Sequence, residues 1–175
     1  FKPTGKIRNA TVNLELPKDW RSFSTARQGP NGTLLVSDVD NSVIFVGASW
    51  QSSQIDVDRN RFTVLSGGDL QFSRDEIETR SRAFLLEYSR LFGELSGGNY
   101  LIAMYRPNLA VGEWAADTRG RTALIATTEM PFKSQTLQQV DEQLRHELFH
   151  FWIPNGVSLR GNHDWFYEGF ALYSS

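Results

Sequence analysis

Leu144-Arg145-His146-Glu147-Leu148-Phe149-His150-Phe151-Trp152 is the stretch on which the reading of this chain turns. Two histidines stand four residues apart, and an acid directly follows the first. In an α-helix, side chains at i and i+4 project from one face a single turn apart. Two imidazoles so placed can reach one zinc ion at ~2.0–2.1 Å. Glu147 then stands beside the metal without being required to bind it, where a base is needed to take a proton from an attacking water. Average composition makes a chance match in a chain of this length a roughly 1-in-200 event. The surrounding pattern predicts the helix that the motif needs. Thr136 and Gln139 read as its capping pair, and Leu137, Val140, Leu144, Leu148 and Phe151 as its apolar stripe. It is expected to run to about Trp152, ahead of Pro154.

A catalytic zinc usually has three protein ligands and one open position. The extension with a glycine three residues and a histidine six residues after the second histidine fails, because Ile153 and Gly156 stand there. His163, the remaining histidine, reads as an ordinary loop residue. Glu168 is the better third ligand. It lies in Trp165-Phe166-Tyr167-Glu168-Gly169-Phe170-Ala171-Leu172-Tyr173, which reads as the start of another helix capped by Asn162 or Asp164. So many aromatic neighbours predict a shielded carboxylate, and a buried carboxylate must be paired, protonated or metal-bound.

Upstream, the pattern is mostly β. Residues from Ile7 to about Trp50 read as strands: Val12, Leu14 and Leu16 alternate with polar residues, and Leu34–Val36 and Val43–Val46 follow the turn signal Pro30-Asn31-Gly32. Phe62–Leu65 predicts a further strand. Ser73 and Glu76 form a capping box ahead of a helix whose buried face is read as Ile77, Phe84, Tyr88 and Leu91. Gly93 and Gly97-Gly98 end it. Tyr100–Tyr105 and Thr122–Thr127 are short apolar strands, and one of them is expected to be the sheet edge that takes substrate backbone. The boundary between a β-rich lead-in and an α+β unit is expected between Trp50 and Ser73.

Taken together, His146-Glu147-Leu148-Phe149-His150 and Trp165-Phe166-Tyr167-Glu168-Gly169-Phe170-Ala171 resemble the gluzincin zinc metallopeptidases, which carry their third ligand in a W-x-x-E-G-F pattern. Seventeen residues lie between His150 and Glu168, one fewer than the usual aminopeptidase N spacing. Within the clan the chain is most similar to the glycyl aminopeptidase family, often PDZ-bearing, with aminopeptidase N more distant. Leu14-Glu15-Leu16-Pro17-Lys18-Asp19-Trp20 is similar to that family's LPxGW strand end, and Leu91-Phe92-Gly93 to its F-G segment. Its H-x-W-N is partly kept as His150-Phe151-Trp152-Ile153. Its G-G-x-E-H segment falls on Asp117 when aligned without gaps, or on Glu113 with one.

The resemblance implies an α+β fold: a β-rich N-terminal segment, then a thermolysin-like catalytic subdomain with a mixed sheet and the HExxH helix. It places the end of an N-terminal β domain at 1–60 and the N-terminal part of the catalytic domain at 61–175. It implies Zn²⁺ held by His146, His150 and Glu168, with Glu147 as general base toward a zinc-bound water. A peptide would be the substrate, its amino group taken by Asp117 or Glu113. The family's helical domain, and its oxyanion-stabilising tyrosine, are expected beyond Ser175, as is any PDZ domain; residues 1–175 alone are therefore expected to turn over weakly or not at all. Two rival readings stand beside this one. One is a zinc hydrolase of a non-peptide substrate, and the other is a non-catalytic zinc- or peptide-binding module.

Bulk properties agree with a well-buried globular protein. The chain has 175 residues, 40% apolar and 13% aromatic, with a net charge of −2. That near-neutral balance, without a basic cluster, argues against a nucleic-acid partner. No apolar run reaches the ~20 residues of a membrane span. With no cysteine, disulfides and thiolate metal sites are excluded. No targeting segment is read, and a bacterial origin with either a cytoplasmic or an exported address is expected.

Overall fold

A computed structural model of the chain describes residues 9–108, 110–157 and 163–174. Ile7 and Asn162, to which the sequence reading gave a strand start and a helix cap, lie outside the described residues, as does the side chain of Asp164. The chain divides after Ser49 into two compact units.

The first unit is built from short strands: β1 (Ala10–Val12), β2 (Arg21–Ser24), β3 (Arg27–Gln28), β4 (Leu34–Val36) and β5 (Ile44–Gly47). β1, β4 and β3 form one antiparallel sheet and β2 and β5 a separate ribbon. Leu34 and Val36 are buried while Leu35 between them is exposed, the alternation of a half-covered strand. At the expected turn, Asn31 and Gly32 take φ of 56° and 75°, a conformation that glycine accepts without steric cost.

The second unit begins with β6 (Gln51–Val57) and β7 (Asn60–Gly67), then α1 (Arg74–Phe92), β8 (Gly98–Tyr105), β9 (Trp114–Arg119), β10 (Thr122–Thr127), α2 (Lys133–Phe149) and α3 (Asp164–Ser174). Its sheet runs β6-β7-β8-β10-β9, parallel at its centre and antiparallel at both edges. The central strands are covered on both faces and read as continuous apolar runs, as buried parallel strands do. Val64, Ile102 and Ile125 are fully buried. α1 packs on β6 and β7, α2 on β10 and β9, and the two helices pack on each other. Their shared core holds Phe84, Leu85, Leu144, Leu148 and Phe151. Among the described residues, no helix is long and apolar enough to cross a membrane.

Four expectations are corrected here. β6, placed by the sequence with the N-terminal segment, pairs with β7 and belongs to this sheet; only alternate residues, Ile55 and Val57, are buried, so its apolar signal is thin. The expected edge strands, Tyr100–Tyr105 and Thr122–Thr127, lie inside the sheet, and the edges are β6 and β9. Leu91 is not on the buried face of α1 but 65% exposed. α2 begins at Lys133 with Phe132 as N-cap, not at the Thr136/Gln139 pair. Thr136 instead accepts from Met130 N and donates to Gln71 Oε1, and Gln139 donates to Gly112 O. Both side chains are engaged in tertiary contacts that local pattern cannot foresee.

The capping box of α1 forms as read. Ser73 Oγ accepts from Glu76 N at 3.2 Å, and Glu76 Oε2 accepts from Ser73 N at 2.8 Å. Lys133 Nζ, at the start of α2, donates to the same carboxylate at 2.8 Å. That lysine, followed by the Ser73 backbone, pulls the Glu76 pKa down to about 2. A carboxylate with a depressed folded pKa stabilises above its unfolded value near 4.5 and loses that stabilisation as pH falls toward 2. The pair is solvent-exposed, so salt screens it. Ser73→Ala is expected to cost ~1 kcal/mol near neutral pH, read as a lower urea midpoint with unchanged slope. The acid limb of unfolding below pH 4.5 should become shallower in Glu76→Gln.

Candidate metal centre

α2 carries the motif near its C-terminal end, and that end is anchored firmly. Tyr88 on α1 donates its hydroxyl to Arg145 O at 3.0 Å, and Trp152 Nε1 donates to Gly93 O at 2.7 Å. His150 caps the helix with φ −64° and ψ −15°, so the turn between the two histidines stays helical although the helix closes at Phe149, three residues before the expected end. The two imidazoles meet edge to face, with Nε2 atoms 3.2 Å apart.

His150 Nδ1 lies 2.9 Å from Ile153 O. A carbonyl only accepts, so Nδ1 carries a proton toward Ile153 O, which leaves Nε2, facing His146, as the ring's metal-binding nitrogen. An outer partner of this kind is what fixes a metal-binding tautomer. Burial, and then the neighbouring His150, push the His146 pKa below its ordinary value, with Glu168 opposing. The His146 ring is thereby favoured in the neutral form that can ligate a metal.

Glu168 arrives from α3. That helix docks on α2 through Ala171, which is fully buried, and through Phe170, whose ring centroid is 5.6 Å from that of Phe149. Glu168 is three residues before Ala171, on the same side of the helix. Its carboxylate reaches 3.2 Å from His146 Nε2 and 3.7 Å from His150 Nε2. The shielding expected for this carboxylate is not found. The Glu168 side chain is 62% exposed, and Trp165 and Tyr173 are 76% and 87% exposed. The aromatic residues of α3 do not bury the acid; its contact with the histidines rests on two docking residues.

Whether these groups suit a metal can be tested on their spacing. Ligand atoms of His146, His150 and Glu168 all lie within 4.8 Å of one another. Tetrahedral coordination at ~2.0–2.1 Å places ligand atoms roughly 3.3 Å apart, close to the separations seen. Two imidazole nitrogens and a carboxylate converging this closely are electron-rich neighbours that a cation would hold together. The donor set fits a divalent metal of the zinc type.

Beside these residues, Glu147 is only 4% exposed. Thr118 Oγ1, on β9, donates to Glu147 Oε2 at 2.6 Å. Burial raises the Glu147 pKa to about 7, with further upward contributions from Asp117 and Glu168, while the Thr118 hydrogen bond pulls it down. A carboxylate held near neutrality suits a group that takes up and returns protons at physiological pH.

The ligands and Glu147 floor a cleft of about 240 Å³, walled by Ala116, Asp117 and Thr118 of β9 and by Asn155 and Tyr167. Of the two acids proposed for the substrate amine, Asp117 lines this cleft, and its Oδ2 accepts from Arg119 Nε at 2.6 Å. Glu113 does not line it: its Oε2 accepts from Ala110 N, closing a turn before β9. His163 caps the start of α3, accepting at its carbonyl from Phe166 N and Tyr167 N. Residue patterning alone did not predict β9, although the resemblance aligned Asp117 with the family's G-G-x-E-H segment, and Thr118 was not singled out. The available signal was Gly120, first residue of the two-residue link between paired Arg119 and Thr122 with φ of 56°, a position where a hairpin requires positive φ.

No protein-family model matches the sequence, and no curated protein matches it. Solved structures do. The chain superposes on an aminopeptidase N family protein from Idiomarina loihiensis with a TM-score of 0.65 at 13% identity, covering 87% of this chain and 30% of that one. It also matches the M1 zinc metallopeptidase of Deinococcus radiodurans, with a TM-score of 0.55 at 19% identity, covering 95% of this chain and 38% of that one. A mutant of that enzyme bound to a Tyr-Ser-Ala substrate gives a TM-score of 0.58. At these identities the likeness establishes the fold alone: the chain folds like part of each of these two proteins. It spans well under half the length of either protein.

Proposed function

We propose that this chain carries the metal-binding part of a zinc-dependent, aminopeptidase-like peptidase. The observation that carries the reading is the meeting of His146, His150 and Glu168 within 4.8 Å, beside a buried Glu147 and along an edge strand. Each residue has a distinct role. His146, His150 and Glu168 would hold zinc, which when bound supplies Lewis acidity toward a carbonyl oxygen and acidifies water. Glu147 takes a proton from the attacking water as its oxygen adds to the peptide carbon. It then delivers a proton to the amine nitrogen as the C–N bond breaks. The exposed edge of β9 pairs with substrate backbone by strand addition, and Asp117 receives the substrate's amino group. Under this reading Trp50–Ser175 is the N-terminal part of the catalytic domain, and the segment before it the end of an N-terminal β domain. A helical domain completing the site, and a PDZ domain, belong to the same proposal.

The experiment is a substrate panel on the zinc-loaded full-length protein: aminoacyl anilides, their N-acetylated counterparts and internally quenched peptides. Free-amine substrates are expected to be cleaved, with N-acetylation lowering kcat/KM at least ~10-fold through loss of the Asp117 contact. Zinc-replete protein that cleaves none of the three classes would overturn the peptidase reading.

A further inference from the structure

We propose that Thr118 is a positioning residue for Glu147, tying one carboxylate oxygen in place so that the other faces the cleft as proton acceptor. The inference rests on the peptidase reading above, because it concerns how that reaction's base is aimed.

The geometry is specific. Thr118 Oγ1 lies 2.6 Å from Glu147 Oε2 and 3.0 Å from Glu147 O. A threonine has one hydroxyl proton. The shorter contact, to the charged acceptor, takes it, since charge-assisted O–H···O bonds are the short and strong ones. Among the described residues this is the one side-chain hydrogen bond given to the Glu147 carboxylate. A glutamate has three side-chain torsions, and a free one would spread over several rotamers. With Oε2 held, Oε1 is left to the cleft.

The strand carries the device for a reason legible in its register. Along β9, Ala116 and Thr118 are half-buried toward α2, while Ala115, Asp117 and Arg119 are exposed. Thr118 pairs with Ala123, and Asp117 with Leu124. A slip of one residue would exchange the two faces of the strand and set an acid against Glu147 in place of the hydroxyl donor. The hairpin at Gly120 and the hydrogen bond from Asn155 Nδ2 to Gly120 O at 3.0 Å hold that register. Threonine also brings a β-branched, stiff χ1 to the contact.

The test compares Thr118→Val, which keeps shape and β preference without the hydroxyl, with Thr118→Ser, which keeps the hydroxyl. Both are made in the zinc-loaded full-length protein, with zinc content measured alongside kinetics. Thr118→Val is expected to lose ~10–100-fold in kcat with KM and zinc content unchanged, and Thr118→Ser to regain most of that loss. Unchanged kcat in Thr118→Val, an equal loss in both variants, or a loss confined to KM would each overturn the proposal. A readout without turnover separates this from the peptidase reading. A Thr118 hydroxyl proton protected from exchange in the NMR spectrum, and lost in Glu147→Ala, supports the contact. Its absence in the wild-type protein overturns the proposal whether or not peptides are cleaved. If peptides are not cleaved but the resonance is present, it is the peptidase reading that has failed.

Discussion

Glu147→Gln is expected to lower kcat for peptide hydrolysis by about 10²–10⁴-fold, with KM nearly unchanged and zinc still bound. The substitution keeps the shape of the side chain. The amide oxygen still accepts from Thr118, 2.6 Å from the present Oε2. What is lost is the capacity to take a proton. The position is 4% exposed, so no bulk water stands ready as a substitute base. Stability should hold or rise, because burial already disfavours the charged carboxylate here, raising its pKa to about 7, and an amide carries no such penalty. The loss therefore belongs to the transition state rather than to folding or metal binding. A variant retaining more than a tenth of wild-type kcat, with matched zinc content, would remove Glu147 from the role of base.

The second large effect concerns the metal. Wild-type protein is expected to hold about one zinc per chain, and His150→Ala nearly none. Glu168→Ala is the more demanding test, because that carboxylate is 62% exposed and comes from another helix. As a ligand, its removal should weaken zinc binding by more than the roughly 10–100-fold that loss of an outer partner costs. As a surface acid merely near two histidines, its removal should change affinity very little. Thermal unfolding gives an independent reading. Zinc at 100 times its Kd should stabilise the wild-type protein by about 2.7 kcal/mol, and that increment should vanish in His150→Ala. Wild-type zinc affinity in Glu168→Ala would dissolve the three-ligand set.

The zinc-loaded state also bears on Glu147. Its pKa near 7 arises from burial, with Asp117 and Glu168 adding to it. A dication held by His146, His150 and Glu168 brings positive charge beside the carboxylate and pulls in the opposite direction.

Several elements were legible from the letters because their causes are local. Ser73 and Glu76 predict the start of α1 through hydrogen bonds three residues apart, and those bonds form. Tyr100–Tyr105 and Thr122–Thr127 predict strands because buried parallel strands are apolar along their whole length. Elsewhere the same signals misled. Thr136 reads as a cap, yet its hydroxyl is engaged with Gln71 and Met130. Leu91 continues a helical stripe, yet it is exposed at the end of α1. The aromatic run of α3 reads as buried, yet Trp165 and Tyr173 face outward. A side chain's fate at these places depends on what the fold brings beside it.

The spacing of His146 and His150 and the place of Glu147 follow from helix geometry alone, because a turn of α-helix is set by hydrogen bonds between near neighbours. That much the sequence determined. The arrival of Glu168 depends on α3 docking through Ala171 and Phe170. The aim of Glu147 depends on β9 presenting Thr118 from 29 residues away in the chain. The tertiary structure decided both, because strand register and helix docking are fixed by long-range burial rather than by any local pattern.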